Sequence, residues 1–506
     1  MLTAVLENGN NVTESTGGTT LVTTPLFYVN GELHVGHAYT LVAADVIKRY
    51  EQLLGRNALL LSGTDEHGTK IEAAARAAGQ TLSRYVEDMR THYHEVLNSY
   101  NVNADVHIHT AADDHGHNVR WAFNHLLHNG DIYEGLHKGY FSPAEDAYYT
   151  AFQITNGLSP QGFEVQPVAE KAYFFRLSKY QDALRQLIGT DGFLTPKERR
   201  NEALSLLKGD LPDVAITRSN TRWGVPLDLP GFEDHTIYVW FDALMAYALR
   251  SRGGKHHDNT IMVFGKDILR FIALLWPALL MSLDMPLPRQ MICHGWLTCS
   301  GEKISKSKGE KVLALPTLGT ADVSRFVLMS LGAFGEDFNF DSTRVEQLSE
   351  LVKDKYANLT HRITGLMNNR GVYQLDRNEA TQMDPLVKQL LDGWGVLRQT
   401  MQHYRIDLYI SELNRLAAEI NSYITRNQLW GVQSEGDFRR HCLVLCRALL
   451  VLTVYLYPIM PNIARMNMER LQPHIKEVPV GIGAASDILQ TLAQVDFNPR
   501  HLAPLM

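Results

Sequence analysis

The segment FYVNGELHVGHAYT, from Phe27, sets His34, Gly36 and His37 where an apolar run passes Gly31 and turns into a helix. A helix that starts after such a turn presents unpaired backbone N–H groups and a partial positive charge, which together attract phosphate. Gly36 carries no side chain and lets a ligand come close. His34 and His37, three residues apart, point the same way from the first turn and supply donors for charge developing on a transferred phosphorus. A second cluster, SGEKISKSKGEK, sets Lys303, Lys306 and Lys308 among Ser305 and Ser307, with Ser300, Gly301 and Gly309 around them. Lysines alternating with hydroxyls in a glycine-flanked loop suit a phosphate chain that is gripped and released. Each cluster alone has an ordinary explanation: a capped helix with surface histidines, or a solvated basic loop. Together they point to a phosphate-handling enzyme.

The elements that position these residues follow from periodicity. Thr20–Tyr28 reads as a short buried strand. LHVGHAYTLVAADVIKRYEQLLG reads as a helix, apolar at Leu41, Val42, Ala44, Val46 and Ile47 and stopped at Gly55. NALLLSGTDEHG follows as a second strand with a polar cluster at its carboxyl end. Strand, helix, strand is a βαβ unit, which places a ligand at the C-terminal edge of a parallel sheet. After Asn129 and Gly130 the chain is rich in aromatics and turns, as an inserted domain would be. The βα pattern returns with TIYVWFDALMAYAL and TIMVFGKDILRFIALLWPALL, and from about Val352 to Leu471 nearly everything reads as helix. The fold class is therefore α/β, a Rossmann-like parallel-sheet catalytic domain with an inserted small α+β domain, followed by an α-helical bundle. We read a loose lead over residues 1–19, the catalytic domain over 20–128 and 215–310, and the inserted connective domain over 129–214. A linking region covers 311–351, directly after the KISKS loop. A helical domain, which the family resemblance given below implies binds the anticodon, then runs over 352–478 and a C-terminal tail over 479–506.

Composition excludes several classes. No apolar run approaches the roughly 18 residues of a spanning helix, and the first twenty residues lack a basic start and a long apolar centre. The expected location is cytoplasmic, with no membrane partner. Four cysteines make no disulfide framework, and no C-x-x-C pair is present. A net charge of −7 counts against a broad basic face for nucleic acid, although it is blind to local patches.

The pair HVGH and KISKS resembles the HIGH and KMSKS signatures of class I aminoacyl-tRNA synthetases, with Val35 and Ile304 in place of the commoner Ile and Met. TTPLFYVNGELHVGHAYT, GTDEHG, YFFRLSKY, IYVWFDAL, GKDILRF and WPALL, in that order, are similar to the methionyl-tRNA synthetase family. That resemblance implies ATP-dependent activation of L-methionine to methionyl-adenylate, and transfer to tRNA(Met) for translation initiation and elongation. It implies His34, His37, Lys303 and Lys306 as catalytic residues. Gly36, Gly265, Asp267, Ser305 and Ser307 would join the two lysines around ATP. Leu26, Tyr28, Asp65, Trp240, Ala243, Tyr247, Ile268, Phe271 and Ile272 would hold methionine, Asp65 taking the substrate ammonium. Arg218 matches an arginine near the reacting groups. Asn358, Arg362 and Trp430 match the residues that read the anticodon, and Trp430 is read as an exposed platform for a base.

Two departures from the family stand out. Ile272 replaces a pocket histidine, which removes a polar group beside Tyr247 and weakens readout by hydrogen bonding. The cysteine knuckles of many relatives are missing near GYFSPAEDAYYT, so no structural zinc is expected. His107, His109, His115 and His117 span a strand-to-helix join and are not read as a shared metal site. Mg²⁺ is expected with ATP, bound through phosphates, and the resemblance points to a monomer. Two other readings remain compatible with the residues: a synthetase-like enzyme of shifted amino-acid preference, and an idle paralogue that binds RNA.

Overall fold

The computed structural model describes residues 18–144, 147–149, 154–219, 221–249, 259–299, 302–303, 319–375 and 384–471. Ser305, Lys306 and Ser307, most of the lead and the C-terminal tail lie outside the described residues. The single strand read from Thr20 to Tyr28 is two strands, β1 (Thr20–Thr23) and β2 (Phe27–Tyr28). Both pair in parallel with β3 (Ala58–Asp65), Thr23 opposite Leu61 and Phe27 opposite Thr64. The break holds Pro25, which has no N–H to give to a ladder. Between β2 and β3 runs α1 (Val35–Leu53), with Leu41, Val42, Ala43, Ala44, Val46 and Ile47 all fully buried. From Leu41 to Ile47 only Asp45 is polar, and a stretch this apolar has to be covered on nearly every side.

Helices α2 (Thr69–Ala77) and α3 (Leu82–Ser99) lead to β4 (Val106–His109), which pairs in parallel with β3, and then to α4 (Asp113–His128). β5 (Ile132–Ser142), β6 (Ala147–Tyr149) and β7 (Gln166–Phe175) form an antiparallel ribbon. β8 (Leu194–Thr195) then leaves it to become an edge of the parallel sheet, and β9 (Val214–Ala215) rejoins the ribbon. The span 129–214 is thus interleaved with the catalytic sheet rather than separate from it. A two-residue strand carries no periodic signal by which to foresee this.

After β10 (Thr217–Arg218) and β11 (Thr236–Ile237) come α5 (Val239–Leu249) and β12 (Thr260–Gly265). A π turn over Phe271–Leu275 passes into α6 (Trp276–Ser282), and β13 (Gln290–His294) follows. Pro277 cannot donate to Ala273, which favours the wide turn. The seven-stranded sheet runs β4, β3, then β1 with β2, then β12, β13 and β8. Every one of these pairings is parallel. From β1 the chain builds outward in both directions, so the switch point, where such folds bind ligands, lies between β1 and β12.

A small sheet of β14 (Leu297–Cys299), β15 (Glu302–Lys303) and β16 (Phe338–Asn339) flanks α7 (Ala321–Ser330). The helical region then comprises α8 (Ser342–Val352), α9 (Asn358–Asn368), α10 (Pro385–Gln402), α11 (Ile406–Arg426), α12 (Glu435–Leu456) and α13 (Pro461–Leu471). α8 passes into α9 through a π turn at Lys353–Ala357, so Val352 lies inside a continuous helical run. One hydrophobic core joins Val22 of the sheet and the buried face of α1 to the bundle as far as Leu471.

Polar groups pin that joint. Arg325 of α7 is fully buried. Its Nη1 lies 2.7 Å from Asp45 Oδ2 on α1, and its Nε and Nη2 donate to the carbonyls of Ile459 and Pro458 beyond α12. Asp322, one turn earlier, accepts from the backbone N–H groups of Asn462 and Ile463 at the start of α13. Burial alone would raise the Asp45 carboxyl, but Arg49 and Arg325 hold it below the usual carboxylate range. Arg325→Met leaves Asp45 one cation short and removes the donors that Arg325 gives to the carbonyls of Ile459, Pro458 and Tyr100. We expect it to cost about 3–5 kcal/mol in urea unfolding; a loss under about 1 kcal/mol would show that the clamp carries little stability.

Candidate active site

Everything at the site begins from the cap of α1. His34 is the N-cap, and its Nδ1 accepts from the N–H of Gly36 at 3.1 Å. His37, at the position where a capping box normally has Glu or Gln, accepts at Nδ1 from the N–H of His34 at 3.0 Å. An Nδ1 that accepts leaves the ring N–H on Nε2, so both histidines keep their remaining donor at the far nitrogen. The rings stack with centroids 3.8 Å apart and both line the cavity at the switch point. A Cβ on Gly36 would sit 2.9 Å from His34 Cε1. The glycine therefore makes room for the folded-back ring as well as for a ligand.

That cavity, of about 330 Å³, gathers residues from every strand end around the switch point. Leu26, Tyr28, His34, Gly36, His37, Asp65, Trp240, Ala243, Tyr247, Gly265, Asp267, Ile268 and Ile272 all line it. Trp240, Ala243 and Tyr247 share one face of α5. The Tyr247 hydroxyl accepts from the Leu26 N–H at 2.5 Å, a bond open to it because the strand breaks at Pro25. Burial pushes the Tyr247 hydroxyl far above the ordinary phenol range, so its hydrogen stays available as a donor. Phe271 is not among the lining residues; it stacks on Trp240 with centroids 4.0 Å apart and so shapes the wall from behind. Ile272 is 1% exposed, an apolar element of the wall.

In GTDEHG only Asp65 faces the cavity, and the next two residues anchor it. Glu66, fully buried, takes Arg90 Nε and Nη2 at 2.6 Å each and lies 3.4 Å from His109. His67 Nδ1 donates to Asp242 Oδ2 at 2.6 Å, while His115 Nε2 reaches the other oxygen at 2.5 Å. Asp242, fully buried, sits between Trp240 and Ala243 on α5. This His–Asp–His bridge ties the pocket helix to the strand end that carries Asp65. His117 instead bonds the Asp113 carbonyl, so the histidines around α4 serve different partners. Among the described residues no group of three or more His, Cys, Asp or Glu side chains is placed to hold a metal ion.

Several expected residues lie elsewhere. Arg218 does not line this cavity; its guanidinium lies over the Tyr238 ring at 3.9 Å and donates to the carbonyls of Ala215 and Thr217. Its own strand end turns it inward, a constraint invisible in AITRSNTRWGVP. The backbone of Lys303 belongs to β15. In the bundle, Asn358 opens α9 and Arg362 Nη1 donates to Asn421 of α11 at 2.6 Å. α11 ends at Arg426, and Trp430 stands beyond it, 59% exposed. Sequence reasoning missed Pro25, Thr40, Lys70, His294 and Trp296, all of which line the cavity. His294 and Trp296 stand in HGWLT at a strand's C-terminal end, a placement that could have flagged them. Thr40, one turn past the histidines, had the helix period as its signal.

A family model described as tRNA synthetases class I (M) matches residues 20–164 and 158–364. Methionine--tRNA ligase of Rickettsia bellii is 33% identical over 496 residues, covering 93% of this chain and 97% of the relative. The Thermotoga maritima enzyme of the same name is 33% identical over 468 residues, covering 87% of this chain and 73% of its own. Among solved structures, Mycobacterium tuberculosis methionyl-tRNA synthetase in complex with methionyl-adenylate superposes with a TM-score of 0.83 at 28% identity, covering 97% of this chain and 99% of that one.

The anchors give the site an acid limit. Burial alone would raise both carboxyls, but His67 and His115 hold Asp242 down at about 2, and Arg90, His109 and Thr64 do the same for Glu66. A carboxyl lowered by folding stabilises the protein fully above its unfolded value, near 4, and loses that contribution as pH falls towards 2. Urea midpoints of the wild type should therefore fall as pH drops from about 4.5. Asp242→Asn should be less stable at pH 6 yet shallower in acid, by about 2 kcal/mol across that range. Parallel acid limbs for the two proteins would contradict this assignment.

Proposed function

The chain belongs to the class I tRNA synthetases, among the methionine--tRNA ligases, and from that premise we propose how its residues activate L-methionine with ATP and charge tRNA. The observation that carries the mechanism is the shared cavity: two Nε2–H donors, an acidic strand end and an apolar aromatic wall meet at one switch point. The methionine carboxylate attacks the α-phosphorus of ATP in line, pyrophosphate leaves, and methionyl-adenylate remains bound. No protein nucleophile takes part; the rate comes from positioning and from charge stabilisation. His34 and His37 meet the charge developing on the α-phosphate. Lys303 and Lys306, with Ser305 and Ser307, take the departing pyrophosphate, and Mg²⁺ enters with ATP on its phosphates. Gly265 and Asp267 receive the ribose, and Asp65 takes the substrate ammonium at the end of β3. The terminal ribose hydroxyl of tRNA then attacks the adenylate carbonyl and releases AMP.

Methionine fits the wall. The Tyr247 hydroxyl offers one donor to a weakly accepting thioether, and Trp240, backed by Phe271, gives the side chain a flat apolar face. With Ile272 the wall reads mainly shape, so this pocket separates methionine from apolar isosteres less sharply than one with a second hydrogen-bonding group. Exposed Trp430 supports a stacking platform for an anticodon base, with Asn358 and Arg362 reading base edges. Arg218 we hold apart from the reacting groups, since its Nη1 engages the carbonyls of Ala215 and Thr217 and it does not line the cavity. A cytoplasmic monomer is the accompanying reading; buried free thiols at Cys293, Cys442 and Cys446 suit the reducing compartment but do not bear on the oligomeric state. Among the described residues no helix is long and apolar enough to cross a membrane.

Amino-acid-dependent exchange of labelled pyrophosphate into ATP, run without tRNA across all twenty amino acids, tests this directly. Methionine should give the signal. Strong exchange with another amino acid would move the assignment to a shifted preference, and none with any would leave an RNA-binding paralogue. Trp430→Ala should lower kcat/KM for tRNA charging by about 5- to 100-fold, the worth of one stacked base. Exchange, which needs no anticodon, should keep its rate. Equal charging by the variant would remove Trp430 from anticodon recognition.

A further inference from the structure

Two residues that the mechanism above does not use meet across the nucleotide site. Thr40 stands on α1 four residues beyond Gly36, and His294 ends β13. Thr40 Oγ1 lies 2.8 Å from His294 Nε2, in a buried contact. The direction of that bond can be worked out. His294 Nδ1 lies 2.8 Å from the Gly295 carbonyl, which can only accept, so Nδ1 carries the hydrogen. Nε2 then holds a lone pair, and Thr40 is the donor. A hydroxyl has one hydrogen; the alternative acceptor, the Gly36 carbonyl, is farther away at 3.2 Å. Burial keeps His294 below the ordinary histidine range, in keeping with an unprotonated Nε2. With both nitrogens engaged, His294 has no donor left for a ligand.

Its neighbours give the bond a purpose. Gly265 pairs with His294 in the ladder, and a Cβ on Gly265 would lie 3.2 Å from His294 Cε1 and 2.7 Å from Asp267 Oδ1. His294 thus packs against the turn assigned to the ribose. Thr40 belongs to the helix start assigned to the α-phosphate. The two halves come from opposite sides of the switch point, and all of these residues line the one cavity. Neither half needs the bond for its own backbone: α1 is already capped by the histidines, and β13 is held by its ladder.

We propose that the Thr40–His294 hydrogen bond is a strut that fixes the distance between the phosphate-binding and ribose-binding halves of the site, making both residues positioning residues for ATP rather than for methionine. This rests on the proposed adenylate-forming reaction. Thr40→Val keeps the side-chain shape and strands the buried Nε2. In pyrophosphate exchange it should raise KM for ATP about tenfold or more, the equivalent of one unsatisfied buried acceptor. KM for methionine should stay within about twofold, and Thr40→Ser should restore KM for ATP to within about threefold of wild type. In a His294→Leu background, Thr40→Val should add no further change, because the strut is already gone.

Thermal midpoints identify variants that fail to fold; for Thr40→Val the substitute is Thr40→Ala, which removes the hydroxyl without adding bulk. An equal rise in both KM values, no rise in either, failure of Thr40→Ser to rescue, or multiplying effects in the double variant would each overturn the strut. Wild-type protein without methionine-dependent exchange would instead overturn the reaction on which it rests, and the two failures are told apart by that control.

Discussion

A guanidinium with no access to water must find its partners inside the protein, and Arg325 finds them on several segments at once. It meets Asp45 of α1, the carbonyls of Pro458 and Ile459 between α12 and α13, and the carbonyl of Tyr100. Asp322, on the same helix, holds the start of α13. A buried pair of this kind is weak evidence for net stability but strong evidence for a unique arrangement, since any displacement leaves a charge unpaired. The consequence reaches the chemistry. α1 cannot shift along or about its axis without breaking Asp45 from Arg325, so its N-terminus, where the histidines sit, belongs to a fixed element. The same clamp makes the sheet and the bundle share one core, and ties the body carrying Trp430 to the body carrying the cavity.

On that fixed helix, the cap does two jobs with one pair of side chains. Most helices satisfy their first N–H groups with Ser, Thr, Asp or Asn, and a capping box adds Glu or Gln. Here imidazoles serve. A carboxylate or hydroxyl cap would place an acceptor or a negative charge where phosphate must approach. An imidazole that accepts at Nδ1 turns an N–H outward at Nε2, so helix capping itself orients the donors. The residues behind the site work in a similar way. Glu66 and His67 follow Asp65 in sequence but do not line the cavity, and each is held by partners from a different element. This support from behind fixes how Asp65 faces the cavity.

How far the sequence alone reached follows the same division between local and non-local causes. α1, β3 and the location of the site at strand C-termini were legible, because periodicity and a glycine turn are local signals. So were His34, His37, Asp65 and the face of α5 that lines the cavity, once the family resemblance supplied roles for them. The break at Pro25 was available in principle, since a proline inside a strand pattern is a warning, but the apolar run around it masked the break. β8 was not legible, being two residues held only by a strand far along the chain. Asp45 in the middle of an apolar helix was a signal that went unread: a buried carboxylate calls for a buried cation. Which arginine answers it depends on tertiary packing. The contact between Thr40 and His294 was hidden for the same reason: each residue had a local signal, but their pairing appears only when α1 and the end of β13 are brought together.

The central claim is that the cap of α1 aims the Nε2 donors of His34 and His37 at the α-phosphate. Single-turnover formation of methionyl-adenylate by His37→Asn tests it most directly. The asparagine oxygen can replace Nδ1 as the acceptor for the His34 N–H, while nothing replaces the N–H at Nε2. The account predicts a protein as stable as the wild type whose adenylate forms about 10²- to 10³-fold more slowly. A variant that forms adenylate within about threefold of the wild-type rate would contradict the account, since one donor of this kind is worth far more than that.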